Sequence, residues 1–307
     1  MLLAAGRGDR MEPLSSIIPK PALEVLGLPL LSSALDNLRR AGCAEIVVNL
    51  HRHPAEVAAA VREVGGGAAV FSWEPELLGG MGGVAAARPL LGDGEVLLGN
   101  ADTWGALDLT PLVAACDGSA VVLAVVPHPD PNRWSSVILD KNGLVTRFLP
   151  AGAADTGERL LFTGFQILGR NVVAALPDGR GEMASLWNTV RRRHRLRGVV
   201  VHGTWREAGN PASYRELVVE SLGRDSWIHP SAVVEDGSRL ERSAVGAGCR
   251  VASGSALEGC VLTAGATVGS GCELVDCVLA GAVTVVGETL SDMLVMQRLR
   301  APLHRPR

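Results

Sequence analysis

The sequence is poor in aromatic residues and has no excess of either charge. Of its 307 residues, one is Tyr, four are Phe and six are Trp, so the core must consist mostly of Leu, Val and Ala. A net charge of −3 and a pI near 6.2 give no general field that would attract nucleic acid or an anionic membrane. We therefore expect neither of these among the partners.

Long hydrophobic runs and closely spaced cysteine pairs are also missing. No apolar run reaches the roughly 20 residues needed to cross a bilayer, and no early segment has the pattern of a signal peptide. The six cysteines form no Cys-x-x-Cys pair, so we interpret them as buried thiols rather than as a disulfide framework or a zinc site. These absences favour a soluble cytoplasmic protein.

The most informative stretch lies at the start, where a short apolar run ends in Gly6-Arg7-Gly8. This pattern is typical of a buried parallel strand that turns into a loop whose backbone N–H groups close on a phosphate, although many glycine pairs form ordinary turns. Arg10 closes the loop, and Lys20 stands between two prolines that fix its backbone. Both side chains can project a positive charge toward a polyphosphate.

Hydrophobic periodicity predicts an α/β arrangement for the first two thirds of the chain. A helix over 29–41 joins the opening strand to a strand over 45–50, which makes a β-α-β unit and implies a parallel sheet with right-handed crossovers. A helix over 54–64 and a strand over 68–72 form the next unit. At 307 residues, two domains are the sensible expectation.

Three further segments carry candidate chemistry. Residues 74–83 contain four glycines, which we interpret as a loop before a helix over 84–91 that lets a flat ligand approach the backbone, with a flexible connector as the alternative. Asp102 follows an apolar strand, so it lies at the carboxyl edge of the sheet, where such sheets bind ligands, or caps a helix. Glu207 precedes a small turn and Pro211, which fits a metal ligand or a capped turn equally well.

The pattern of residue types in the sequence changes at Trp227. Aliphatic and small residues then recur at intervals of about six, as in Val245-Gly246, Val251-Ala252 and Val268-Gly269, which predicts a left-handed β-helix of about three coils with 18 residues each. Such coils must pack on the first domain or on another subunit, so we expect a homo-oligomer, most simply a dimer. The predicted boundaries are 1–224 for the catalytic domain, 225–290 for the β-helix and 291–307 for a C-terminal tail.

One resemblance unites these segments. The string Leu-Ala-Ala-Gly-x-Gly-x-Arg-Met-x-Pro-Leu that begins at Leu3, followed by Pro-Lys-Pro around Lys20, resembles the signature of the sugar-1-phosphate nucleotidyltransferases. The resemblance implies a Rossmann-like, mostly parallel catalytic domain, to which several branches of the family add a C-terminal left-handed β-helix. It also implies that an NTP and a sugar 1-phosphate are joined, with Mg²⁺, to give an NDP-sugar and pyrophosphate.

The resemblance assigns a role to each matching position. The implied catalytic residues are Arg10, Lys20 and Asp102, and the implied Mg²⁺ ligands are Asp102 and Glu207. The implied nucleotide-binding residues are Leu3, Ala4, Ala5, Gly6, Arg7, Gly8, Glu76, Gly79, Gly80 and Asn100, and the implied sugar-binding residues are Gly164 and Glu182.

The sequence departs from the family pattern at three places. Gly80-Met81 replaces an expected Thr-Ala beside the base, Glu207 replaces an Asp, and Phe148-Leu149-Pro150 replaces the Glu-Lys-Pro whose Lys helps to hold the sugar phosphate. Mannose 1-phosphate with GTP is the leading substrate pair by resemblance, and glucose 1-phosphate with dTTP or UTP is the alternative.

Two other functions stay open at this stage. The chain could be a nucleotide-binding protein without turnover, since Leu149 stands where a Lys is expected. The C-terminal coils could also carry an acyltransferase, although few coils and a single candidate histidine, His229, argue against that activity.

Overall fold

The structure is a computed structural model that describes residues 1–65, 69–155 and 157–303. Its helices are α1 (Leu31–Arg40), α2 (Pro54–Glu63), α3 (Gly79–Ala87), α4 (Thr110–Ala114), α5 (Arg170–Ala174), α6 (Met183–Arg192) and α7 (Pro211–Leu222). Short 3₁₀ turns span Asp9–Met11, Leu14–Ser16, Lys20–Ala22 and Arg88–Leu90.

Strands alternate with these helices and then follow one another without interruption. The first group comprises β1 (Leu2–Leu3), β2 (Glu24–Val25), β3 (Leu28–Pro29), β4 (Ile46–Leu50), β5 (Ala69–Trp73), β6 (Val96–Asn100), β7 (Thr103–Trp104), β8 (Leu107–Asp108), β9 (Val121–Pro127), β10 (Ser136–Leu139), β11 (Val145–Leu149), β12 (Leu160–Leu168), β13 (Leu196–Val200), β14 (His202–Gly203) and β15 (Arg206–Glu207). The second group comprises β16 (Trp227–Ile228), β17 (Val233–Val234), β18 (Arg239–Glu241), β19 (Ala244–Val245), β20 (Arg250–Val251), β21 (Ala256–Glu258), β22 (Val261–Leu262), β23 (Thr267–Val268), β24 (Glu273–Val275), β25 (Val278–Leu279), β26 (Thr284–Val285), β27 (Thr289–Ser291), β28 (Met293–Met296) and β29 (Leu299–Pro302).

The chain divides into two compact units. The sheet unit comprises Met1–Arg7 and Leu31–Arg206, and the coil unit comprises Gly8–Leu30 together with the chain from Glu207 onward. The segment that carries the glycine loop is thus split between them after Arg7. Each unit has its own apolar core.

A nine-stranded sheet forms the centre of the sheet unit. Its strand order is β11-β10-β12-β6-β1-β4-β5, and β9 and β13 branch from β12. β1, β4, β5 and β6 pair in parallel, while β12 runs antiparallel to both β6 and β9. The central strands are rich in Val and Leu and are buried along most of their length, as expected for parallel strands covered on both faces. The predicted α/β sheet is therefore confirmed.

Most predicted elements of the sheet unit are present with small shifts of their ends. The predicted helix over 29–41 is α1, the strand over 45–50 is β4, and the strand over 68–72 is β5, although Ala68 lies outside the described residues. The predicted helix over 84–91 is wrong at its start, because α3 begins at Gly79 and contains all four glycines of the stretch interpreted as a loop.

The coil unit contains the predicted left-handed β-helix. Its strands stack in parallel on three faces, with β16-β19-β22-β25-β28 on one face, β17-β20-β23-β26 on the second and β18-β21-β24-β27 on the third. Trp227 pairs with Ala244, Ala244 with Val261 and Val261 with Val278. Equivalent positions in successive coils lie 17 residues apart, as Ser243 and Cys260 do.

The predicted coil number and length are therefore both wrong. Four complete coils of about 17 residues are present, where the sequence predicted about three of 18. The β-strands also continue past residue 290, because β28 starts a fifth coil and β29 pairs antiparallel with β28. The domain boundaries themselves stay predictions.

The residues at the corners of the coils and those in their interior explain why this sequence forms a β-helix. One corner takes left-handed backbone at Gly in every coil, as predicted, but another takes it at charged residues in three coils. The glycine corner is formed by Gly237, Gly254, Gly271 and Gly287, and the other corner by Arg242, Gly259, Asp276 and Asp292. The interior is filled by aliphatic side chains and by four fully buried cysteines, Cys249, Cys260, Cys272 and Cys277.

The thiols agree in part with the interpretation from sequence. All six cysteines are unbridged, but only the four of the coil unit are buried, because Cys43 and Cys116 in the sheet unit are half-buried. Burial raises the pKa of the Cys249 thiol, and the same cause raises the pKa of Cys43 and of Cys116. Within the described residues, no helix is both long enough and apolar enough to cross a membrane.

Candidate functional site

The carboxyl edge of the central strands carries the sheet-unit part of the site. In register, Leu3 of β1 pairs with Asn49 of β4 on one side and Asn100 of β6 on the other. The backbone N–H of Ala4 donates to Asn49 Oδ1 at 2.8 Å, which fixes the point where the chain leaves the sheet. Beyond it, Gly6 is exposed, and a β-carbon built there would have no atom within 4 Å. The predicted phosphate loop therefore begins in open space beside two amide side chains.

A buried carboxylate that the sequence did not single out anchors this edge. Glu74 has no exposed surface. Its Oε1 accepts from Asn49 Nδ2 at 2.7 Å, and its Oε2 accepts from the backbone N–H of Leu78 at 3.0 Å. One side chain thus ties β4 to the start of α3, where a carboxylate also complements the helix dipole. Glu76, which the sequence placed in the nucleotide site, is exposed.

The glycines of α3 are needed for close packing rather than for a loop. A β-carbon on Gly83 would lie 2.6 Å from Glu74 Oε1 and 2.8 Å from Asn49 Nδ2. Gly82 packs equally closely against the carbonyl of Gly179, and Met81 N donates to Gly181 O at 2.9 Å. These contacts compensate for the low helix propensity of glycine. The pattern was misread because the neighbours of these glycines lie elsewhere in the chain, about a hundred residues away for Gly79, Gly80 and Gly82.

Met81 does not face the nucleotide loop. Its side chain is buried in the core cluster and packs on Gly181. The residue that replaces the alanine of the family pattern is therefore a core residue of the sheet unit.

Two predicted nucleotide-binding residues each contact a predicted sugar-binding residue. Gly164, with φ of 91°, packs against Asn100, whose Nδ2 would lie 3.3 Å from a β-carbon on that glycine. Gly79, with φ of 75°, packs against Glu182, whose Oε1 would lie 2.8 Å from its β-carbon. Neither glycine can accept a side chain without displacing its neighbour. The structure thus brings together residues taken from four separate motifs.

In the coil unit, the second half of the signature meets the turn that carries Glu207. Arg10 Nη2 lies 3.5 Å from Glu207 Oε1, across 197 residues of sequence. The Arg10 side chain is 75% exposed and therefore remains accessible to a ligand. Gly209 lies beside this pair, since a β-carbon built on it would lie 3.7 Å from Arg10 Nη1. A predicted phosphate-binding cation and a predicted metal ligand are therefore neighbours.

Lys20 is placed by the glycine loop itself. Gly8 has left-handed backbone with φ of 70°, and a β-carbon on it would lie 3.3 Å from Ser15 Cβ and 3.8 Å from Lys20 Cβ. Ser15 Oγ donates to Gly8 O at 3.0 Å and closes the loop. The second glycine of the signature is thus required for its conformation, and Ser15 leaves little room for a side chain there.

The donors available for a metal are carboxylate oxygens. Asp102 is half-buried just beyond β6, and the Glu207 side chain is 18% exposed. Among the described residues, no cluster of three or more His, Cys, Asp or Glu side chains could hold a metal ion. One or two carboxylates completed by water and substrate phosphates is the usual donor set of Mg²⁺, whereas Zn²⁺ sites use nitrogen and sulfur. The donor chemistry therefore fits Mg²⁺.

An aromatic cluster occupies the region where the family pattern has a charged pair. Phe148 stacks on Trp187 with ring centroids 5.5 Å apart, and Phe162 meets the same indole edge-on at 5.0 Å. Trp187 Nε1 donates to Gln166 at 2.8 Å. Leu149 is paired with Ser136 in the β10–β11 hairpin. This part of the sheet unit is therefore apolar where a lysine was expected.

The arginine run over 191–197 begins at the end of α6 and continues into β13. Arg191 Nη1 donates to Thr146 O at 2.8 Å, which connects α6 to the β10–β11 hairpin. Arg192, Arg193 and Arg195 are exposed.

Two family models match the chain. The model described as "Nucleotidyl transferase" matches residues 1–222, and the model described as "GlmU-like, C-terminal hexapeptide" matches residues 216–290. Solved structures of HddC from Yersinia pseudotuberculosis, one of them complexed with GMP-PN, superpose with a TM-score of 0.62 at 21% identity. They cover 72% of this chain and 97% of theirs, and they support the fold.

Curated relatives agree with the first of these models. N-acetylmuramate alpha-1-phosphate uridylyltransferase from Caulobacter vibrioides is 31% identical over 69% of this chain and 91% of its own length. The enzyme of that name from Neisseria meningitidis is 29% identical over 70% and 95%. Mannose-1-phosphate guanylyltransferase from Mycobacterium tuberculosis is 29% identical over 59% of this chain and 51% of its own length. With a family model spanning residues 1–222 of 307, this chain belongs to the nucleotidyl transferase family.

Proposed function

We propose that this protein is an enzyme that joins an NTP and a sugar 1-phosphate to give an NDP-sugar and pyrophosphate. The observation that carries the proposal is the register of the central strands. It sets Asn49 and Asn100 on either side of Leu3, at the edge where the glycine loop leaves the sheet. This is the edge at which open α/β sheets bind their ligands.

The proposed reaction needs alignment and charge neutralisation rather than covalent chemistry by the protein. An oxygen of the sugar phosphate attacks the α-phosphorus of the NTP, the bond to the β-phosphate oxygen breaks, and pyrophosphate leaves with that electron pair. The backbone N–H groups of residues 6–8 would hold the phosphates. Arg10 and Lys20 would neutralise charge that develops on the departing group.

We further propose Asp102 and Glu207 as ligands of Mg²⁺. When bound, the ion supplies a positive charge that polarises the phosphoryl oxygens and offsets their repulsion of the incoming phosphate. Glu207 is one methylene longer than the Asp of the family pattern. Its ion pair with Arg10 would hold the carboxylate in place before the substrate arrives.

Three sugar 1-phosphates are candidates for the acceptor, the substrate that receives the nucleotidyl group. Mannose 1-phosphate with GTP is our first candidate, supported by relatives such as the Mycobacterium tuberculosis enzyme, and glucose 1-phosphate with dTTP or UTP is an alternative. N-acetylmuramate α-1-phosphate with UTP is a further candidate, because two relatives carry that name.

The organisation of the protein forms part of the proposal. We propose the catalytic domain over 1–224, the β-helix over 225–290 and a tail over 291–307. The exposed strands of the β-helix and the rarity of asymmetric assemblies favour a homodimer. A cytoplasmic location would supply NTPs and keep the six thiols reduced.

The test is a substrate panel with a matched pair of variants. Purified protein is incubated with Mg²⁺, each NTP and each of the three sugar 1-phosphates, and pyrophosphate and NDP-sugar are measured. Asp102→Ala should lower turnover by at least about a hundredfold, or roughly 3 kcal/mol of transition-state stabilisation, with the melting temperature unchanged. Asp236→Ala, an exposed aspartate of the first coil, is the control and should keep full activity.

Two results would contradict the proposal. A melting temperature that rises with NTP while no pair of substrates releases pyrophosphate would identify a nucleotide-binding protein without turnover. Undiminished turnover of Asp102→Ala would remove that residue from the reaction. Binding of acetyl-CoA, measured in parallel, would instead support an acyltransferase in the coils.

A further inference from the structure

The lysine of the signature is followed directly by a small, well-ordered hairpin. β2 and β3 pair through Glu24 with Pro29 and Val25 with Leu28, and the two residues of the turn, Leu26 and Gly27, have φ of 51° and 79°. Such a turn matches the natural twist of a two-stranded ribbon. The hairpin is joined to Lys20 by a single 3₁₀ turn, in which Leu23 N donates to Lys20 O at 3.2 Å.

The tip of this hairpin is held by the first strand of the β-helix. A β-carbon on Gly27 would lie 2.8 Å from Trp227 Cζ2 and 3.0 Å from its Cη2, so the indole packs directly on the turn. The backbone of Trp227 is itself fixed by the coil, where the Trp227 backbone N–H donates to Ser243 O at 3.0 Å. At the base of the hairpin, the fully buried Tyr214 of α7 donates to Glu24 O at 2.6 Å.

The glycine loop also lies beside Lys20. A β-carbon built on Gly8 would lie 3.8 Å from Lys20 Cβ, and Pro19 and Pro21 restrict the lysine backbone on either side. A lysine ammonium is a point charge on a flexible stem, so its direction depends on where the backbone starts the side chain. The backbone that carries this stem therefore lies between the loop at Gly8 and the hairpin whose tip rests on Trp227.

We propose that Trp227 is a positioning residue for Lys20. The β-helix then does more than extend the chain, because its first coil sets the place of a cation that the proposed reaction uses on the nucleotide phosphates. This inference rests on the proposed function for its catalytic consequence. Its physical content, that the indole orders residues 20–30 and thereby the lysine, can be measured without turnover.

The experiment compares four variants in the full-length protein. Trp227→Ala removes the support, Trp227→Phe restores most of it, Lys20→Met removes the charge, and Trp227→Ala with Lys20→Met combines the two. Val233→Ala is the control, because this side chain of the same coil is 43% exposed. The readouts are kcat and KM, the affinity for inorganic tripolyphosphate by calorimetry, and hydrogen exchange of the peptide that covers residues 20–30.

We expect Trp227→Ala to lower kcat roughly ten- to hundredfold, as for a small misplacement of a reacting group, to weaken tripolyphosphate binding and to speed exchange over residues 20–30. Trp227→Phe should recover most of the loss, and Val233→Ala should behave like the unaltered protein. In the Lys20→Met background, loss of the indole should cost little more, because both changes remove the same interaction. Gly27→Ala, which displaces the indole from the other side, should reproduce the effect.

Additive losses in the double variant, or unchanged exchange over residues 20–30 in Trp227→Ala, would overturn the inference. The proposed function fails separately, if the unaltered protein releases no pyrophosphate with any substrate pair. The tripolyphosphate and exchange measurements still decide the role of Trp227 in that case. A Trp227→Ala protein that binds tripolyphosphate as well as the unaltered protein would show that the indole does not place the lysine.

Discussion

The two units bury polar groups in different ways. In the sheet unit, a carboxylate with no exposed surface, Glu74, connects Asn49 to the start of α3. In the β-helix, the fully buried polar side chains are neutral, as those of Ser243 and Ser255 are. The sheet unit therefore concentrates polar interactions where several strands end, whereas the few buried polar groups of the β-helix lie at separate, non-equivalent positions of its coils.

This contrast reflects how each unit obtains its contacts. The sheet joins strands that are far apart in sequence, so a few side chains at one edge can gather chemistry from several segments. Each coil of the β-helix contacts the coil 17 residues away, so its stability is close to a sum of similar layers. The proposed site residues of the coil unit accordingly lie outside the coils, at Arg10, Lys20 and Glu207.

The largest effect is expected at Glu74. Replacing it with Ala leaves the Asn49 amide and the Leu78 N–H without acceptors, at about 1–3 kcal/mol for each buried donor, so the free energy of unfolding should fall by roughly 4 kcal/mol. Urea unfolding followed by circular dichroism measures this loss. Glu76→Ala, an exposed neighbour, should change it by less than about 0.5 kcal/mol. Equal effects of the two variants would contradict the central place of Glu74.

A core change in the coils should rank second. Leu257 is 2% exposed and belongs to β21, which lies between β18 and β24. Leu257→Ala should therefore lower the free energy of unfolding by about 3 kcal/mol, through lost burial and a cavity. Val286→Ala, with 64% of that side chain exposed, is the matched control and should be nearly neutral. A loss at Leu257 larger than that at Glu74 would reverse the order that the comparison predicts.

The neutral buried polar groups of the coils should contribute least. Ser255 Oγ donates to Gly269 O at 2.7 Å inside the stack, and Ser255→Ala should lower the free energy of unfolding by about 1 kcal/mol. The exposed Ser270 provides the control substitution to Ala. Should Ser255→Ala prove as costly as Glu74→Ala, the distinction between concentrated and distributed polar burial would be lost.

Thiol labelling separates the units without changing their stability. The four thiols of the β-helix are fully buried, so they should react with a thiol reagent only on unfolding. Cys43 and Cys116 are half-buried, and burial raises the pKa of each thiol, so they should react slowly at pH 8 and faster as the pH rises and the thiolate fraction grows. Mass spectrometry of labelled native protein checks both statements, and early labelling of Cys249 would contradict them.

The sequence was most informative where a local pattern decides the structure. Alternating apolar segments predicted the parallel sheet, and the six-residue repeat predicted the β-helix, because both follow from which residues face a core. The glycines of α3 were misread, since their helix depends on Glu74 and on the backbone around Gly181 rather than on their own propensity. The coil length was also predicted wrongly. Glycine is the residue that marks a left-handed corner in a sequence, but charged residues such as Asp276 occupy some of these corners.

The candidate site shows the same division. The motifs supplied Arg10, Glu207, Asn100 and Gly164, but the contact between Arg10 and Glu207 spans 197 residues, which no local pattern specifies. Asn49 was not predicted as a site residue, because an asparagine at the end of a strand is typical of an ordinary turn. Its register with Leu3 could be recognised only once the strand pairing was known.

The last strand of the chain limits growth of the stack. A parallel coil left open would offer an unpaired edge on which the first coil of another molecule could continue the same ladder. β29 instead folds back antiparallel on β28, with Pro302 lacking an N–H and Arg300 in an ion pair with Glu288. This strand therefore covers the β28 edge of the stack, and a chain shortened before Leu299 should associate end to end more readily.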